Sequence, residues 1–127
     1  MAIQRIGSGS PYEATIGFSR AVRIGAHVLV SGTAPVPPPG EAVAKSPYDQ
    51  MMRCGAIIRA ALAEAGCDLG AVVRTRMYIV DVRDADEIGR AHRVLFGSAM
   101  PAATMVVVAG LLDPTWRVEV EVDAMIA

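Results

Sequence analysis

At 127 residues, with 53% apolar and 20% charged side chains, the chain has the size and composition of a single well-folded domain spanning residues 1–127. Such a length buries roughly two-thirds of the unfolded surface. A net charge of −1, with no arginine stripe interleaved with aromatics, excludes the basic field of a nucleic-acid binder.

Aromatics are 5% of the chain, so the core is expected to be aliphatic and filled by methionine. Cys54 and Cys67 lack metal-type spacing and read as two buried free thiols in a reducing compartment. No apolar run approaches the ~20 residues of a membrane span, so no membrane partner is expected. The N-terminus lacks the apolar core of a signal peptide, which points to the cytoplasm.

In chain order, Ser19–Ile24 and His27–Ser31 read as strands joined by Gly25-Ala26, a two-residue hairpin connection. Thr33-Ala34-Pro35-Val36-Pro37-Pro38-Pro39-Gly40 follows as a stiff loop, since its prolines cannot sit in a central strand. Ser46-Pro47-Tyr48-Asp49 opens a helix with a capping serine, proline at the first helical position and an early acid. The helix runs to about Ala65, and Gly66 is placed to end it. Met51, Ile58, Leu62 and Ala65 form its apolar stripe, supported by Cys54 and Ala61, with Arg53, Arg59 and Glu64 off it.

Val72–Val82 reads as a strand with Val73, Thr75, Met77 and Ile79 on one face and Arg74, Arg76 and Tyr78 on the other. Asp84 and Glu87 have capping-box spacing for a second helix, about Ala85–Phe96, striped by Ile88, Ala91, His92 and Leu95. Thr104–Ala109 is a short apolar strand, and Leu111-Leu112-Asp113-Pro114 turns the chain into the last one.

That last strand, Trp116–Ala124, alternates strictly. Val118, Val120, Val122 and Ala124 share one face; Glu119, Glu121 and Asp123 share the other. Three carboxylates in a row repel unless water or cations compensate them, which suits either a surface edge or the wall of a polar cavity. The order of elements predicts an α+β domain, with right-handed crossovers placing both helices on one face of a mixed sheet. The uncovered face carries Arg74 and Arg76 against the three acids, and is expected to meet other subunits across a wet interior.

Taken together, Ile16-Gly17-Phe18-Ser19-Arg20-Ala21-Val22, Val30-Ser31-Gly32-Thr33-Ala34-Pro35, Leu62-Ala63-Glu64-Ala65-Gly66, Leu69–Asp81, Pro101-Ala102 and Val118-Glu119-Val120-Glu121 resemble the RidA/YjgF family of reactive-intermediate deaminases. Each motif alone is modest, but their order covers residues 10–127. The resemblance implies a chorismate-mutase-like fold, a homotrimer with a central barrel, and small-molecule clefts between subunits. It also implies cofactor-free hydrolysis of small enamines and imines to ketoacids and ammonia.

In the family pattern an arginine clamps the substrate carboxylate, a glutamate positions water, and backbone groups at a serine-glycine strand end hold the substrate. Ser31, Gly32 and Glu119 match it, with Glu121 as the alternative glutamate. The family arginine falls on Ala103, its tyrosine on Phe18, its asparagine on Gly89 and its cysteine on Met105. The chain therefore resembles a branch without the carboxylate clamp, and an apolar pocket suited to a more hydrophobic or uncharged ligand is expected.

The remaining candidates each have a plainer reading beside the functional one. Glu119 either contacts substrate or pairs with Arg74 or Arg76, and crowding among the acids would raise a carboxyl pKa. His92 is either a hydrogen-bonded core residue or a pocket residue, and no metal-ligand spacing surrounds it. Arg20 is either a solvated strand arginine or the missing cation. Trp116 lines a cleft or covers the barrel mouth, and Tyr12 can add a wall. The expectation is a cofactor-free, metal-free hydrolase; the alternatives are a non-catalytic metabolite-binding trimer and a purely structural or interaction trimer.

Overall fold

The computed structural model describes residues 2–127. Six strands form one sheet: β1 (Ile3–Ile6), β2 (Ala21–Ile24), β3 (His27–Thr33), β4 (Val72–Ile79), β5 (Ala102–Val107) and β6 (Val118–Met125), in the order β1-β2-β3-β6-β4-β5. All pairs are antiparallel except β4–β5, which is parallel. Helices α2 (Pro47–Ala65) and α3 (Ala85–Phe96) connect β3 to β4 and β4 to β5, and the short α1 (Pro11–Ile16) precedes β2. The sheet is mixed, and both crossover helices pack on one face, as the element order predicts.

The alternation of β6 is realised in full. Val118, Val120, Val122 and Ala124 are at most 1% exposed and meet Ile58, Leu62 and Met51 of α2, with Ile88 and Phe96 of α3 closing the same core. α2 begins and ends where its caps dictate. Ser46 Oγ accepts from the Asp49 amide at 3.0 Å, and Gly66 takes the left-handed conformation at φ 96°. Gly55 lets α2 and α3 approach, because a Cβ there would run into the side chain of Leu95. No helix among the described residues is long and apolar enough to cross a membrane.

Several expectations are corrected. β1 and α1 were not expected, although Ser10-Pro11-Tyr12-Glu13 repeats the chemistry of Ser46-Pro47-Tyr48-Asp49. α1 buries no residue, so it leaves no apolar stripe. Val73 is 45% exposed and Val72 buried instead, because the β4–β6 register slips between Val72 and Arg74. The strand ends at Ile79, and Val82–Asp84 forms a 3-10 turn capped by Asp81.

The capping box at α3 does not form, because both acids have partners far away in sequence. Asp84 binds Arg117 Nε at 2.8 Å, and Glu87 accepts from the Tyr48 amide at 3.2 Å in the first turn of α2. β3 runs on to Thr33, β5 starts at Ala102 rather than Thr104, and β6 starts at Val118 rather than Trp116. Both cysteines are free, but only Cys54 is buried.

Candidate functional site

The register of β3 against β6 slips by one between Val30–Val122 and Thr33–Val120, so Ser31 and Gly32 bulge together opposite Glu121. The bulge brings Gly32 against Glu119: a Cβ at Gly32 would collide with Glu119 Oε2, so only glycine leaves that carboxylate its place. Ser31 Oγ donates to Ser19 O at 2.7 Å, and Ser31 O accepts from Thr33 Oγ1 at 2.8 Å.

Arg20, just before β2, is pinned by its own backbone. Its amide donates to Ile6 O and its carbonyl accepts from the Ser31 amide. Its side chain is 8% exposed, with Nη2 donating to Gly32 O at 2.7 Å and the guanidinium lying 5.4 Å from the Phe18 ring centre.

These groups line one cavity of about 360 Å³, a volume suited to a small ligand. Phe18, Arg20, Ser31, Gly32, Trp116 and Glu119 all face it. Tyr12 and Ile16 of α1, with Leu112 from the loop before β6, complete a largely apolar wall. Tyr12 meets Trp116 edge-on with ring centres 6.0 Å apart. The backbone on either side of Trp116 is held by Gln50, which is 1% exposed. Its amide binds Ala44 O at 2.8 Å and Thr115 O at 2.9 Å, and accepts from the Arg117 amide at 2.7 Å.

Burial pushes the Glu119 carboxyl above the ordinary glutamate value near 4.5; Arg20 opposes the shift and Glu121 adds to it. Glu119 makes no ion pair within 4 Å among the described residues. Its pairing with Arg74 or Arg76 is therefore not what the fold builds. Arg76 lies instead 3.7 Å from Glu121 and 3.9 Å from Asp123, and Tyr78 Oη donates to Glu121. Glu121 belongs to that network on the uncovered face and does not line the cavity.

The family model described as Endoribonuclease L-PSP matches residues 9–126. A crystal structure of a YjgF/YER057c/UK114 family member from Mycobacterium tuberculosis superimposes with a TM-score of 0.91 at 37% identity, covering 98% of this chain and 100% of that one. The chain belongs to the RidA/YjgF family. An uncharacterised protein of Streptomyces coelicolor is 40% identical over 123 residues, covering 97% of this chain and 92% of that protein. The 2-iminobutanoate/2-iminopropanoate deaminase of Rattus norvegicus is 30% identical over 130 residues, covering 97% of this chain and 90% of that protein.

Four other candidates, three from the RidA/YjgF pattern and His92 from the stripe of the second helix, lie elsewhere in the subunit. Gly89 and His92 are on α3, Ala103 and Met105 on β5, and β4 separates β5 from β6. His92 Nε2 is 2.8 Å from Oγ1 of the fully buried Thr75, and its ring packs on Phe96 at 5.0 Å. Burial lowers its pKa. It is a packed, hydrogen-bonded residue. Sequence reasoning missed Ile16 and Leu112 because neither sits in a periodic element that would flag it.

Proposed function

We propose that this protein hydrolyses the C=N bond of small imines, including those formed when enamines tautomerise, in the Glu119 cavity, without a cofactor. The observation that supports it is a half-buried carboxylate of raised pKa, free of any ion pair, beside a buried arginine in a cavity of ligand size. A family relative whose name is that of an imine deaminase agrees with this chemistry. Glu119 takes a proton from water as the water oxygen bonds to the imine carbon and the C=N π pair moves to nitrogen; returning that proton to nitrogen gives the neutral carbinolamine. Glu119 then carries the hydroxyl proton to nitrogen, the C=O bond forms as the C–N bond breaks with its electron pair leaving on nitrogen, and the products are a carbonyl compound and ammonia.

Assembly completes the site in this reading. β5 pairs only with β4, and its outer edge is apolar, with Val106 42% and Val107 53% exposed. A second copy docked in a homotrimer would bring Gly89, Ala103 and Met105 to the mouth of the cavity. Because Ala103 carries no charge, a metabolite-binding trimer without turnover is the second reading.

Ammonia release from imines generated in situ separates the two readings. Glu119→Gln should lower the rate by about 10²–10⁴-fold, the usual contribution of a general base. Equal rates with wild type, Glu119→Gln and buffer alone would remove the hydrolase and leave the binder.

A further inference from the structure

The cavity holds a buried cation without a counter-ion. Arg20 is more than nine-tenths buried, yet no carboxylate lies within 4 Å of its guanidinium among the described residues. Its guanidinium makes one hydrogen bond, from Nη2 to Gly32 O, and the enclosed Nε has no partner at all. Glu13 and Glu119 act on it only at a distance, and burial outweighs them in lowering its pKa.

A solvated strand arginine would look different. It would be exposed and hydrated, whereas Arg20 also borders the two clefts flanking the cavity, so it stands where these spaces meet. A buried charge short of partners is costly unless an anion reaches it. A guanidinium fork with one bond to the protein retains donors for a carboxylate. The Phe18 ring, with its centre 5.4 Å from Cζ, restricts the plane in which that fork can lie.

We propose that Arg20 anchors the carboxylate of the ligand, doing from the entry to β2 what an uncharged Ala103 on β5 cannot do. Resting on the hydrolase reading, this narrows the substrate to monoanionic 2-imino acids with apolar side chains. One cation faces the cavity where the ligand would sit, and it matches one carboxylate. The C=N carbon, directly attached to that carboxylate, then lies between Arg20 and Glu119, the two charged groups lining the space. Ile16, Phe18, Leu112 and Trp116 receive an apolar side chain larger than methyl. The resulting preference is for an anion with a hydrophobic tail, in place of the uncharged ligand expected from the apolar substitutions alone.

The test is calorimetric and does not depend on turnover. Two stable probes are titrated into the full-length protein: 4-methyl-2-oxopentanoate, and 4-methylpentan-2-one, which lacks the carboxylate. Wild type should bind the keto acid about tenfold or more tightly than the ketone, the scale of a charge-assisted contact. Arg20→Gln should lose that preference while retaining ketone affinity, and Arg20→Lys should keep part of it. Wild type that binds both probes equally, prefers the ketone, or shows no saturable keto-acid binding at millimolar concentration overturns the proposal, and needs no variant to fold. A preference that survives in a folded Arg20→Gln also overturns it. Loss of the hydrolase reading is seen separately: keto-acid preference dependent on Arg20, but no Glu119-dependent ammonia release, retains the anchor and removes the reaction.

Discussion

At the scale of single residues, Glu119 sets activity against stability. Its carboxyl pKa is raised in the folded protein, chiefly by burial. A raised carboxyl pKa means that the folded state binds the proton more tightly than the unfolded chain does. Stability is therefore greatest below the ordinary glutamate value and declines as pH rises through the folded-state value. Glu119→Gln removes that titration, so the variant should melt higher than wild type at neutral pH, and the gap should close as both approach pH 4. The expected difference is upward in Tm at neutral pH and absent near pH 4. A general base must be deprotonated, so imine hydrolysis should gain rate with rising pH through a midpoint above 4.5. Paired melting curves and a kcat/KM profile check both limbs. An acid limb at or below the ordinary value, with no stability gain in Glu119→Gln, would show an ordinary solvated carboxylate.

At the scale of elements, the loops that shape the cavity are held by a few buried polar contacts. Gln50, in the first turns of α2, ties Ala44 and Thr115 through its amide nitrogen and the Arg117 amide through its oxygen. Gln50→Ala leaves three backbone groups without that partner, at a cost of about 2–4 kcal/mol. A Tm lower by about 10 °C is expected, with weaker keto-acid binding because the backbone on either side of Trp116 is no longer held. Calorimetric melting and the titration above check it; an unchanged Tm would show that water replaces the amide. The same elements explain what was legible beforehand. The alternation of β6 and the caps of α2 are local patterns, and the fold follows them. Asp84 and Glu87 look like a local cap in sequence, but their partners are Arg117 and the Tyr48 amide, so tertiary contacts override the motif. Ser31, Gly32 and Glu119 were legible as neighbours, and their bulged register was not. The exposure of Val73 likewise depends on a slip against β6, which lies some 45 residues downstream and which no window around β4 can reveal.

At the scale of the molecule, the surfaces that a single copy leaves open support the proposed trimer. Its uncovered sheet face holds the Arg76, Glu121, Asp123 and Tyr78 network only partly buried, beside Leu29 at 42% exposure. Its β5 edge presents apolar residues and unpaired backbone, a surface that soluble proteins normally cover or charge. Three copies meeting through those faces would enclose the charged network and bring β5 of one copy toward the cavity of the next. Sedimentation should therefore give the mass of three chains. Val106→Lys, placed on the exposed edge of β5 and away from the packed core, should shift the protein toward single chains and lower keto-acid affinity and ammonia release together. Raising the protein concentration should restore part of both by mass action. A wild-type protein that sediments as one chain, or a dissociated Val106→Lys with undiminished keto-acid binding, would place the complete site within one subunit.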